Sequence, residues 1–513
     1  MRDQSISQNV NARFVLAPFL LCLPLALAVG YFLATPDSVL SLAGVGLVLG
    51  ALSIPLLLRW HYPLLLFSWN ASFIVFFLPG QPSLWMLMSL VSLSLTVVAW
   101  VMRENVDATG QSNRFQHVSA LTWTLAAIAL VVLVTAKARG GIGLRSLGGA
   151  SYGGKHYLYV LFAILGYFAI SSRRIPPHRV GLYVALFFLG SLTQPLSNLV
   201  YAAGPNFYWL YNFFPVDVAV SQATADTAVA RIAGASFAAA GVFSYMLAHW
   251  GIHGLFNLYR PWRLVLWLAV IAVSLLGGFR SVAVLFFLLL GVQFWFEGLM
   301  RSRLLPLLVL GAVAAFLALM PVANKLPFTV QRALSFLPLE LDSAARIDAA
   351  ASTDWRLRMW KVVWAEVPQY LLLGKGYRIN PTDLYLVVES RKRGLGEDID
   401  QAIIAGDYHS GPLSVLVPFG IFGTFAFLAF GAAAVRVLHL NYRHGDPSLR
   451  RINTFLLSAF IARTIFFWAL FGAFSSDIAI FAGLAGLSVA INGGVCRAPA
   501  AAQGVASPVP AAT

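Results

Sequence analysis

The chain has 513 residues, of which 59% are hydrophobic and 11% charged, with a formal net charge of +15 and a mean hydropathy of +0.77. A soluble globular domain carries about 25% charged residues, so this composition excludes one and describes a polytopic membrane protein. The basic residues punctuate apolar runs instead of forming one solvated face, which excludes nucleic acid as a partner and makes them topology signals that also meet anionic lipid head groups.

A transmembrane helix needs about 20 apolar residues, because backbone groups inside hydrocarbon must be satisfied internally. On that measure the spans are predicted at 14–33, 38–58, 62–79, 82–100, 118–136, 157–172, 179–194, 231–248, 262–278, 281–297, 304–322, 412–433, 453–471 and 475–492. The fold class is therefore all-α, a helical bundle of about 14 spans with one large, partly helical outer loop. Residues 14–33 imitate a signal peptide, but no small-residue cleavage site follows, and they read as the first span. The stretch 195–234 is aromatic-rich but interrupted by Pro195, Pro205, Pro215, Asp217 and Asp226, and is read as a re-entrant or interfacial element. Cys22 and Cys496 are the only cysteines, too few for a disulfide framework or a thiolate metal site.

Dense basic clusters at Arg2–Arg13, 59–61, 103–114, 173–179, 260–263, 301–303 and 436–451 fall on one side if the N-terminus is inside. Lys137, Arg139, Arg145 and Lys155 disagree, either because the count slips there or because those cations meet a phosphate-bearing lipid. Four regions follow: membrane spans over 1–322, an outer loop over 323–411, further spans over 412–493 and a disordered inner tail over 494–513. The turn Gly277-Gly278-Phe279-Arg280 and the whole outer loop then share one membrane face.

Arg280 at a span boundary is placed either to grip a phosphate through a bidentate fork or to anchor the helix end by snorkelling. In the loop, Ser352-Thr353-Asp354 offers helix caps, and Trp360, Val363, Trp364 and Val367 form a stripe suited to the bilayer interface. Arg356 lies one turn before Trp360 on the same side, while Arg358, about 200° around the helix, is its solvated companion. The alternative is an ordinary surface helix, ended in either case by Pro368 and the turn Gly374-Lys375-Gly376, which lacks nucleotide-binding spacing. His409, the only histidine between 323 and 411, is a general base for a hydroxyl or else an interfacial anchor. Asp407 and Tyr408 are placed to orient it or to bind a sugar. Arg463, inside a span, either bridges to Asp477 or floors a diphosphate pocket. No metal-ligand spacing accompanies these residues, so neither a metal nor a cofactor is expected.

This set resembles the O-antigen ligase and O-antigen polymerase family of bacterial membrane glycosyltransferases. The resemblance runs over roughly 260–430: an Arg-bearing turn before a span, then Arg356, Trp360, Pro368 and Gly374-Lys375-Gly376, then His409 before a span with Gly420-Ile421-Phe422-Gly423. Ser410 departs from the Asn that commonly follows that His. The resemblance implies metal-independent glycosyl transfer on the periplasmic face of the inner membrane, from an undecaprenyl-diphosphate-linked glycan to a glycan or lipid A-core acceptor, beside other proteins of envelope polysaccharide assembly. Arg280 and Arg356 would stabilise the leaving diphosphate and His409 would deprotonate the acceptor, with Arg358, Trp360, Asp407, Tyr408 and Arg463 binding substrate. A polymerase is favoured over a lipopolysaccharide ligase; a lipid or polysaccharide flippase and a non-catalytic envelope scaffold are the readings from other classes.

Overall fold

A computed structural model describes residues 39–101, 118–144, 152–216, 231–394 and 399–497, with a few positions between 24 and 31. The expected span 14–33, the basic loop 103–114, Arg145, Asp217, Asp226 and the tail beyond Arg497 fall wholly or almost wholly outside the described residues.

Seventeen α-helices are described. They are α1 (Val39–Ser68), α2 (Leu84–Val101), α3 (Ser119–Ala138), α4 (Gly154–Ser171), α5 (Val180–Leu189), α6 (Leu196–Ala203), α7 (Ala233–Leu255), α8 (Trp262–Leu275) and α9 (Arg280–Phe296). There follow α10 (Leu304–Leu319), α11 (Phe328–Ala333), α12 (Ser343–Tyr370), α13 (Pro381–Lys392), α14 (Asp400–Ala405), α15 (Gly411–His444), α16 (Arg450–Ala469) and α17 (Phe474–Asn492). Among the described residues, seven helical segments are long and apolar enough to cross a membrane, and α8 and α9 are shorter apolar helices. The protein is an all-α polytopic membrane protein.

Most expected spans recur within a few residues, but 38–58 and 62–79 do not stand as two. A single helix, α1, runs through Pro55 and Pro63 and stops at Ser68. The apolar letters beyond it belong to an irregular segment whose backbone finds other partners: Ser72 N donates to Thr193 Oγ1 at 2.8 Å, Ile74 N to Phe213 O at 2.8 Å and Val75 N to Pro82 O at 2.9 Å. Non-helical backbone at such depth is tolerated when protein covers it. Part of the interrupted stretch 195–234 is regular after all, since the 27-residue apolar segment Pro177–Ala203 runs from a 3₁₀ turn through α5, a second 3₁₀ turn and α6, followed by a 3₁₀ run over Pro205–Asn212.

The centre of the bundle is α17, packed against α4 and α15. Trp69 lies between α4 and α17, donating its indole N–H to Ala479 O at 3.2 Å. A Cβ on Gly166 or Gly483 would come within 2.3 or 2.2 Å of that indole, so only glycine admits the ring. Small residues do the same work at helix contacts in membranes, where packing rather than water expulsion drives association. At the periphery, α10 has no buried residue. The N-termini of α7, α9, α15 and α17 and the C-termini of α8 and α16 gather at one end of the bundle, and α11 to α14 cap that end.

Candidate active site

The short turn into α9 is built on close contact. A Cβ at Gly277 would meet Ser236 Oγ at 2.0 Å, and Gly278 adopts a left-handed φ of +67°, a conformation glycine reaches without steric cost. Arg332 on α11 donates to Gly278 O at 2.7 Å and pins the turn from above. Arg280 then reaches to α12, donating to Ala349 O at 2.8 Å and Thr353 Oγ1 at 3.1 Å.

That helix begins nine residues earlier than the sequence suggested. Asp342 caps it by accepting from Ala344 N at 2.9 Å, and the Ala-rich run behind the cap continues the helix through Ser352 and past Pro368 to Tyr370. The extra turns matter because they carry Arg346 and Asp348 into the site. Asp348 pairs with Arg332 and, at 3.3 Å, with Arg231, while Arg346 donates to Leu339 O. Arg280, Arg346 and Ser335 line a cavity of about 300 Å³, in which the buried Ser335 hydroxyl has no protein partner. Asp348 answers Arg231 and Arg332 directly and lies close to Arg280, so the guanidiniums outnumber the carboxylate and leave an excess of positive charge that an anion would relieve.

The next turns of α12 carry Arg356, whose guanidinium lies 5.8 Å from the centre of the Phe471 ring. His409 contacts the same ring, centre to centre at 5.3 Å, and Trp355 on its other side at 5.4 Å. Arg356 and His409 are thus gathered around one phenylalanine in the α16–α17 turn. Arg280 and Arg332 are near enough that, after burial, their charges are what push the Arg356 pKa down. Burial likewise lowers the His409 pKa; Asp407 opposes this and Arg356 reinforces it, so the ring is held neutral at pH 7. Its Nδ1 is 3.6 Å from Asp407 Oδ1, a charge contact too long for a hydrogen bond, and is otherwise buried without a partner.

His409 has a φ of +48°, an uncommon left-handed conformation that histidine enters more readily than most residues. Ser410 follows in extended conformation and α15 starts at Gly411, where a Cβ would approach Phe467 O within 2.0 Å. The backbone of the preceding residue is held by α12, since Trp360 Nε1 donates to Tyr408 O at 2.8 Å.

The glycines of Gly374-Lys375-Gly376 and Gly420 belong to one joint. The α15 ladder breaks at Pro418, which lacks an N–H, and at Gly420, whose φ is +63°. Into that break dock Lys375 N, bonded to Val417 O at 2.7 Å, and Gly376 N, bonded to Pro418 O at 2.9 Å. Ile421 N returns to Leu371 O at 2.7 Å. Arg139, one of the outer cations that disagreed with the charge count, closes the joint through Nε to Gly374 O at 2.6 Å. The helix that carries Arg356 is thereby clamped to the helix that follows His409.

Arg280, Arg356, Asp407 and His409 therefore share one end of the bundle. The fold also places four other expected features. Tyr408 is only 2% exposed and packs with Met359, Val363, Val367 and Leu413, so it is a core residue with no face for a sugar. The anticipated interfacial stripe turns inward, with Val363 and Val367 in that same core and only Trp364 exposed. Arg463 pairs with Asp477 at 2.6 Å and lies over Phe466; its charge is answered, as one of the two readings held. Arg358 is exposed and apart from the cluster, in keeping with the solvated companion but not with a first contact to substrate.

Sequence reasoning missed Arg231, Arg332, Arg346, Asp348, Trp355 and Phe471. Arg346 and Asp348 follow a Ser-Ala-Ala run after Asp342 that is a legible helix start; the others carry no local signal. His156, also missed, places Nδ1 3.0 Å from Ser475 Oγ and stacks obliquely on Tyr377 at 5.0 Å. Among the described residues no cluster of His, Cys, Asp or Glu could hold a metal ion.

Residues 264–428 match the family model described as O-antigen ligase. The matched stretch runs from α8 to the first half of α15 and includes Arg280, Arg332, Asp348, Arg356 and His409. A comparison with curated proteins finds no match.

Proposed function

We propose, from the match of residues 264–428 to the O-antigen ligase model, that this chain is a member of the O-antigen ligase and polymerase family and transfers glycan from a polyprenyl-diphosphate donor to a sugar hydroxyl on the periplasmic side of the bacterial inner membrane, as an O-antigen or exopolysaccharide polymerase. One observation carries the reading: Arg356, with Arg280 and Arg332 close enough to act on its charge, lies beside a histidine held neutral by burial.

In the reaction the acceptor oxygen bonds to the anomeric carbon as the bond from that carbon to the diphosphate oxygen breaks. The electron pair leaves with the polyprenyl diphosphate, and the hydroxyl proton passes to His409. Charge grows on the diphosphate oxygens in the transition state, where Arg280 and Arg356 are already oriented by their helices, the condition under which each donor contributes about 2 to 4 kcal/mol. Trp355 and Phe471 both pack on the imidazole at a tilt and shield it, which favours its neutral, basic form.

The test is incubation of purified protein with a lipid-diphosphate oligosaccharide, with and without a lipid A-core acceptor. Longer lipid-linked glycans are the expected product. Glycan on the lipid A-core would instead make it a ligase, the reading that the description of the matching family favours. Transbilayer movement of the donor without a new glycosidic bond would overturn both.

A further inference from the structure

An open groove of about 600 Å³ runs along α15 and α16, from Trp468 near the C-terminus of α16 to Arg436 and His439 in the second half of α15, towards the end of the bundle opposite the candidate site. Its walls are apolar, with Phe427, Phe460, Phe481 and Trp468 among them, and its two strongly polar lining groups are Arg436 and His439. These two are three residues apart on α15 and so share a face. Both are exposed, and neither has a carboxylate partner among the described residues. From Phe427 to His439 the helix rises about 18 Å, close to the roughly 15 Å of hydrocarbon in one leaflet. The groove is thus long enough for one acyl chain, with its positive charge towards the end opposite the candidate site and its aromatic rings at the other end. Arg443, Arg450 and Arg451 lie at the same end and deepen the positive potential.

We propose that this groove binds one acyl chain of an anionic phospholipid from the leaflet opposite the candidate active site, with the lipid phosphate held by Arg436 and His439. The inference does not depend on glycosyl transfer. It also separates this ligand from a donor tail: Arg436 lies beyond the break in α15, about 24 Å along the helix from Gly420, and an isoprenoid chain headed at Arg356 has no second anion to offer there. Charge complementarity at the far end calls for a head group of its own.

The experiment uses the full-length protein, delipidated in detergent and titrated with phosphatidylglycerol or phosphatidylcholine. Native mass spectrometry counts the lipid retained, and thermal melting reads its effect. Phosphatidylglycerol is expected to be retained preferentially and to raise the melting temperature by several degrees. Gly431 faces open space, with nothing within 4 Å of an added Cβ, so Gly431→Leu should fill the groove and abolish both effects without changing the lipid-free melt. Arg436→Gln, an exposed change that spares the packing, should erase the preference between head groups while the chain still binds. Equal retention of the two lipids by the unmodified protein, or undiminished phosphatidylglycerol on the Gly431→Leu variant, overturns the proposal. Loss of an undecaprenyl phosphate probe from that variant with phosphatidylglycerol still bound would assign the groove to an isoprenoid chain, and overturns it too.

Discussion

The indole N–H of Trp360 donates to the backbone carbonyl of Tyr408 at 2.8 Å, so the residue before His409 hangs from the helix that carries Arg356. With the glycine joint further along both helices, this hydrogen bond helps to hold Arg356 and His409, 53 positions apart in the chain, near one another.

Trp360→Phe keeps the ring and removes the donor. We expect a stability loss of about 1 kcal/mol, the net worth of such a bond, and a fall in kcat larger than any change in KM, because the bond positions His409 instead of touching substrate. Equal effects on both constants, measured with a lipid-linked oligosaccharide, would show that the indole contacts the donor directly.

Arg280→Gln and Arg356→Gln should each lower turnover by about 10²- to 10³-fold while the protein remains folded, as expected for donors aimed at developing negative charge. Arg358→Gln, on the exposed side of the same helix, should lower it less than about threefold, since an exposed charge is screened by solvent. Product yield at matched protein abundance reads the comparison, and equal losses at 356 and 358 would dissolve the assignment.

The pH profile has a defined sign. Burial, then Arg356, lowers the His409 pKa, and Asp407 raises it. The base form is therefore present above this lowered pKa, and activity should persist below pH 6.5 before falling as acid protonates the ring. Asp407→Asn removes the one influence that favours the charged ring, so the acid limb should move to still lower pH. A shift in the opposite direction rules out His409 as the titrating base.

The joint between α12 and α15 should be intolerant of side chains. A Cβ at Gly374, already at φ +78°, would lie 2.1 Å from Pro418 O, and one at Gly420 would lie 2.3 Å from Leu372 O. Gly374→Ala and Gly420→Ala should each destabilise by more than about 2 kcal/mol, since each adds a left-handed backbone penalty to a backbone clash. Thermal melting in detergent, with Gly431→Ala as a nearby control that meets no atom, measures this.

Composition and periodicity alone determined that this is a polytopic helical membrane protein, because twenty apolar residues in a row have one low-energy state in hydrocarbon and that state is local. The same local physics placed α9, α16 and α17 within a few residues; charge asymmetry gave the expectation that Arg280, Arg356 and His409 share a face, and the fold brings them to one end of the bundle. The failures were tertiary. The second half of the expected span 62–79 is apolar, but partners from 193 and 213 satisfy part of its backbone and leave it irregular. Tyr408 looks like a site residue beside His409, yet its ring faces Val363 and Leu413. Only the folded chain could decide that Arg332 and Asp348 join the site, that Phe471 is the ring shared by Arg356 and His409, and that two distant glycine motifs form one joint. A hydrophobic pattern reports how a segment meets its solvent, whereas a site is made by which segments meet each other, and that is fixed by packing between elements far apart in sequence.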